Sequence, residues 1–132
     1  MNGETDLTKL IRTMRPELNQ GEFVFCTFDS LQPALALNPI CIFHEKEGVT
    51  AILSKTQADA AKISYSSTFS WITLTVHSSL EAVGLTAAFS TALANANISC
   101  NVVAAFHHDH IFVPTKDAVH AMDVLQNLAA SI

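Results

Sequence analysis

The sequence predicts an α+β fold built from short strands and helices in a twice-used order. Three observations carry that expectation. Apolar residues recur with helical spacing in some stretches and alternate with polar ones in others. Two strand–turn–strand patterns each lead into a helix. At an offset of 60 residues, Ile40–Leu53 overlays Cys100–Val113. The 132 residues and 49% hydrophobic content exclude a disordered chain, and the length favours one compact domain or two very small ones. Charged residues make up only 14% against roughly 25% in an average soluble domain. So little charge on so apolar a chain points to surface buried against another copy.

The elements follow in order. Thr5–Arg15 places Leu7, Leu10, Ile11 and Met14 on one helical face, with Thr5 as a cap and Pro16 as a stop. Glu22–Phe28 is a strand, and Asp29–Asn38, which holds Pro33, reads as a loop. Ile40–His44 and Val49–Leu53 form a hairpin around the turn Glu45–Gly48. Ser54 then caps a helix over Lys55–Ile63. Thr68–His77 is a long strand with Ile72, Leu74 and Val76 on one face and Thr73, Thr75 and His77 on the other. Ser78 and Glu81 have the spacing of a capping box for a helix from Leu80 to about Ala96, which Asn97 closes in a left-handed conformation. Ile98–Ala105 and His110–Val113 are strands about a turn at His107–Asp109. A last helix, Lys116 to about Ala130, carries the stripe Ala118, Val119, Met122, Leu125 and Leu128.

The second half thus reads β-α-β-β-α, and the first half β-loop-β-β-α. The opening strands align best at an offset of 49, with Phe23 on Ile72. The second half ends on a helix with no further strand of its own, and Glu22–Phe28, from the same chain or a partner, is expected to complete its sheet.

Composition narrows the function classes. The net charge is −5, and Arg12 and Arg15 are the only arginines, so no basic patch exists for nucleic acid or anionic lipid. Cys26, Cys41 and Cys100 have no C-x-x-C spacing and sit in apolar runs, which favours buried, reduced thiols and a cytoplasmic address. The N-terminus carries early acids and no apolar core, so it does not read as a signal peptide. Ala82–His108 lacks Asp, Glu, Lys and Arg, yet its Thr, Ser and Asn content suits a helix and a strand buried in protein rather than a membrane span.

Chemistry-bearing clusters are few. His107, His108, Asp109 and His110 form the densest set. On a strand His108 and His110 share one face and His107 and Asp109 the other, two ligands per face being too few for a closed zinc site. Ser78 and Ser79 beside His77 lack a nucleophile elbow. No phosphate loop or dinucleotide fingerprint is present, and no cofactor is expected. The helix from Leu80 to Ala96 exposes Thr86, Ala87, Ser90, Thr91, Ala94 and Asn95, a face without charge that suits packing on a neighbour.

The run Val83–Cys100 (VGLTAAFSTALANANISC) resembles the ACT domain. Gly84, Leu85, Ala92, Leu93, Ala94, Ala96 and Ile98 fall on that family's helix pattern, with Val83 where many members have Pro and Asn97 in place of the usual Gly. The following Asn101–Ala105, His110–Pro114 and closing helix are similar to the ACT domains of aspartokinases and to small stand-alone paired-ACT proteins. The match covers Phe69–Leu128 well and the first half weakly. It implies a ferredoxin-like α+β sandwich with antiparallel sheets and helices on one face. The two tandem, interlocked units would be residues 1–66, lacking a first helix, and 67–132. It further implies a non-enzymatic regulatory protein, assembled as a homo-oligomer, that binds a small molecule, usually an amino acid. The ligand-binding residues it implies are His77, Ser78, Ser79, Leu80, Glu81, Ala82, Val83, Gly84 and Asn101. A helix N-terminus supplies N–H groups suited to a carboxylate, Gly84 permits close approach to the backbone, and Glu81 can pair with an ammonium. The alternatives are a His-cluster metal-binding protein or small enzyme, and a ligand-free assembly or adaptor subunit.

Overall fold

The computed structural model describes residues 6–76 and 79–131. In chain order the elements are α1 (Leu7–Thr13), β1 (Arg15–Leu18), β2 (Phe23–Phe28), α2 (Leu31–Leu35), β3 (Cys41–Glu45), β4 (Gly48–Ser54), α3 (Lys55–Ala60), β5 (Phe69–Thr75), α4 (Leu85–Asn95), β6 (Asn101–Ala104), β7 (Asp109–Pro114) and α5 (Ala118–Ala130), the last entered through a 3-10 turn at Thr115–Asp117. By contact the chain divides into two bodies, one of residues 20–69 and one joining the N-terminal segment through Asn19 to everything from Ser70 onward.

In the body of residues 20–69 the strands run antiparallel in the order β3-β4-β2. Val24, Cys26, Val49, Ala51 and Leu53 bury on one face, under Ala34 of α2 and Ala58 of α3. The Ser54 hydroxyl caps α3 as expected, accepting from the Gln57 N–H at 3.1 Å. The stretch expected to be a loop holds the five-residue α2, so the first helix of this half is shortened rather than missing. Gly48 closes the β3–β4 turn where a Cβ would lie 2.8 Å from the Phe28 carbonyl oxygen, a space only glycine fits.

In the other body β5, β7 and β6 follow one another, and β1 pairs antiparallel with β5. Ile72, Leu74 and Val76 of the β5 segment and Ile111 and Val113 of β7 present one apolar face. Leu10, Ile11 and Met14 around α1, Leu85, Phe89 and Leu93 of α4, and Ala121 and Leu125 of α5 cover that face. The helices thus share one side of this sheet.

Several expectations are corrected. The strand completing this body is Arg15–Leu18, paired Arg15↔Thr75 to Leu18↔Ile72, while β2 forms its ladder with β4 and meets only the first residue of β5, at Phe23↔Phe69. Pro16 does not simply stop α1; it sits inside this strand, which lies at the end of the body's strand order, where a missing N–H is tolerated. Asp6 caps α1, accepting from the Lys9 N–H at 3.1 Å; Thr5 lies outside the described residues. On α5 the buried stripe is Ala118, Ala121, Leu125 and Ala129, and Val119 is 75% exposed.

The repeat holds at the level of register. Cys41↔Ile52, Ile42↔Ala51, Phe43↔Thr50 and His44↔Val49 in one hairpin become Asn101↔Phe112, Val102↔Ile111, Val103↔His110 and Ala104↔Asp109 in the other, every pair at the 60-residue offset. The opening strands need an even offset rather than 49, because Val24 and Cys26 of β2 and Ile72 and Leu74 of β5 are the core-facing residues. A one-residue slip would turn every core side chain to the other face.

Candidate functional site

The site begins where β5 gives way to α4. The expected helix start at Leu80 is replaced by a turn, since the Ser79 hydroxyl accepts from the Glu81 N–H at 3.1 Å and the Ser79 carbonyl from the Ala82 N–H at 3.0 Å. The helix begins five residues later, at Leu85, behind Gly84 at φ +101°. Glycine adopts that conformation at little cost, and its missing Cβ leaves room for Leu7, whose Cδ2 would otherwise lie 2.9 Å away. Among the described residues no side chain caps α4, so its first-turn N–H groups and the positive end of its dipole are open to another acceptor.

Facing this loop is the tip of the β6–β7 hairpin, closed by a bond from the Ala105 N–H to the His108 carbonyl at 3.0 Å. Between them lies a cavity of about 340 Å³, lined by Ser79, Leu80, residues 82–86, Ala104, Ala105, His107, His108 and Asp109. That volume is at the lower end of the roughly 300–1,000 Å³ typical of small-molecule sites. Large apolar side chains stand exposed around it: Leu80 at 67% and Val83 at 82% on the loop, and Phe106 at 76% on the hairpin tip. The His108 Nδ1 lies 3.3 Å from the Val76 carbonyl oxygen. A carbonyl only accepts, so Nδ1 carries the proton in this contact. Burial pushes the Asp109 carboxyl above the usual aspartate range, against the opposing pull of His110 and His108.

The structure brings together Ser79, Leu80, Ala82, Val83 and Gly84 of the expected set. Glu81 is not on the lining, and it is not part of a box at the start of α4. Asn101 sits at the head of β6, where its amide donates to the Phe112 carbonyl at 3.2 Å. His77 and Ser78 lie outside the described residues. Sequence reasoning missed His107, His108 and Asp109 as walls of this cavity. Their density in the sequence marked them, but as a metal cluster.

The metal reading also placed His108 and His110 on one face, and the structure separates them. His110 turns to the opposite side of β7, where its Nδ1 accepts from the Trp71 indole N–H at 3.0 Å and lies 3.1 Å from the Thr73 hydroxyl. Among the described residues no group of three His, Cys, Asp or Glu side chains could hold a metal ion. The three cysteines are free thiols; burial pushes Cys100 up to about 11 and raises Cys26, which keeps both protonated and unreactive near neutral pH. Among the described residues no helix is long and apolar enough to cross a membrane.

Comparison with known proteins agrees with this architecture. Two family models, each described as the ACT domain, match residues 2–70 and 66–127. A solved structure from Vibrio cholerae, described as a protein of unknown function and possible transport protein, is 48% identical over 93% of this chain and 95% of its own, with a TM-score of 0.86. A protein from Agrobacterium tumefaciens shares 16% identity over 88% of this chain and 89% of its own, at a TM-score of 0.72. The regulatory subunit of aspartate kinase from Thermus thermophilus, in its ligand-free form, has a TM-score of 0.60 at 10% identity, covering 89% of this chain and 98% of its own. No curated protein sequence matches the chain. With tandem matches spanning residues 2–127 on a mixed, antiparallel ferredoxin-like fold, the chain belongs to the ACT domain family.

Proposed function

We propose that this protein is a non-enzymatic regulatory module that binds an amino acid in the cleft between residues 79–86 and the β6–β7 hairpin tip. The observation that carries the reading is the cavity at the uncapped N-terminus of α4, entered past Gly84. A ligand carboxylate would accept from the first-turn N–H groups, where the helix dipole favours negative charge. Ser79, Leu80, Ala82, Val83 and Gly84 form the contact set, with His77 and Ser78 added from the same loop. Glu81 and Asn101 are carried from the family resemblance as outer members. Binding would fix the loop and alter packing between copies of the chain. The exposed, uncharged Thr86, Ala87, Thr91, Ala94 and Asn95 of α4 support assembly as a homo-oligomer. Three free thiols suit a reducing, cytoplasmic setting.

Thermal unfolding in the presence of each of the twenty amino acids tests the reading. A true ligand at about 100 times its Kd adds about 2.7 kcal/mol of stability, a rise of several degrees in Tm for a domain of this size. If none of the twenty moves Tm at millimolar concentration, the amino-acid reading is wrong.

A further inference from the structure

The cleft contains a carboxylate that the reading above gives no task. Asp109 opens β7 opposite Ala104 and lines the cavity beside His107 and His108, one residue out of step with His110, which turns to the other side of the strand. It is half-buried, and desolvation outweighs the attraction of His108 and His110 in setting its protonation. The polar contacts of this hairpin engage its neighbours, His108 with the Val76 carbonyl and His110 with Trp71. Among the described residues none gives the Asp109 carboxylate a hydrogen bond or a salt bridge. A desolvated carboxylate without a close partner is costly, and a cation brought to it recovers that cost. The opposite wall is the uncapped, electropositive start of α4. The cleft is therefore bipolar, with an anion-seeking wall on the helix and a cation-seeking wall on the hairpin.

We propose that Asp109 is the specificity determinant of the cleft. It holds the ammonium group of an α-amino acid while the α4 N-terminus holds the carboxylate, so that zwitterions are selected over carboxylic acids of the same skeleton. The proposal rests on the amino-acid reading of the cleft. It goes beyond that reading by placing the counter-ion on the hairpin rather than at Glu81, which does not line the cavity. His107 and His108 line the same space.

The test is calorimetric titration of matched pairs. The amino acid that raises Tm most, and the same acid with the amine replaced by hydrogen, are titrated into wild type, Asp109→Asn and Asp109→Glu at pH 7.5. Wild type should prefer the amino acid by about tenfold or more, the scale of one charge-assisted contact. Asp109→Asn should lose that preference by weakening the amino acid alone, and Asp109→Glu should keep most of it. Fluorescence of the single tryptophan, Trp71, and an unchanged affinity for the des-amino acid would show the Asn variant intact. If Asp109→Asn folds and still prefers the amino acid as wild type does, the proposal is overturned while the amino-acid reading stands. If no amino acid binds wild type, both fall.

Discussion

At the scale of single residues, Gly84 and His110 each carry a checkable consequence. Gly84 stands at φ +101°, outside the range that side-chain-bearing residues adopt comfortably. The contact an added methyl would make is with the flexible Leu7 side chain, so backbone strain sets the cost. Gly84→Ala should therefore destabilise the protein by about 1–3 kcal/mol in urea unfolding. It should also weaken binding of the proposed amino-acid ligand, because the start of α4 shifts. His110 acts through protonation. The indole N–H of Trp71 only donates, so the His110 Nδ1 that accepts it must be bare. Burial, then the charge of His108, lowers His110 below its ordinary 6.5. A base lowered by folding takes up its proton more readily in the unfolded chain. Its contribution is therefore present above about 6.5 and is lost as pH falls through the lowered folded value. Asp109 has the opposite sign, since its raised carboxyl costs stability at neutral pH and sheds that cost on acidification. His110→Gln, which keeps an acceptor but cannot titrate, should flatten the fall in stability below pH 6.5. Trp71 emission followed through the same pH range reports the contact directly; an unchanged profile in the variant would remove His110 as its source.

At the scale of elements, the ends of helices were legible where a local residue decides them. Asn97 takes the left-handed conformation at φ +61°, and the Ile98 N–H returns to the Leu93 carbonyl at 2.9 Å. Asn97→Ala should cost about 1 kcal/mol and Asn97→Gly much less, as measured by denaturant midpoints. Ser54 capped α3 as read. The start of α4 was misread because Ser78 and Glu81 imitate a capping box, while the glycine three residues further on adopts the conformation that begins the helix. That five-residue difference matters to the site, since it leaves a turn over residues 79–83 where a helix was expected. β1 was invisible because four residues containing a proline carry no alternation to read.

At the scale of the whole molecule, the family matches divide the chain near residues 66–70, whereas contacts place residues 6–19 with the body that begins at Ser70. Leu10 and Met14 are fully buried in that body's core, and β1 pairs with four residues of β5. A fragment of residues 67–132 should therefore fail to fold cooperatively. Its circular dichroism should lack a sharp thermal transition, and it should bind an apolar dye, while the full chain does neither. A fragment with a sharp transition would show that α1 and β1 are dispensable.

The sequence by itself determined the family, the α+β class, the order of most elements, the hairpin repeat and the two faces of β5. These rest on periodicity and on local conformational preference, which a chain carries before it folds. It also identified the loop that forms half of the cleft, through Gly84 and the pattern after it. Only the tertiary structure decided that Arg15–Leu18 completes the second sheet, that α4 begins at Leu85, and that Asp109 faces the loop while His110 turns away toward Trp71. Those outcomes depend on which strands pair and on which side of a sheet a residue emerges. Both are set by non-local packing, where one residue of register reverses the result.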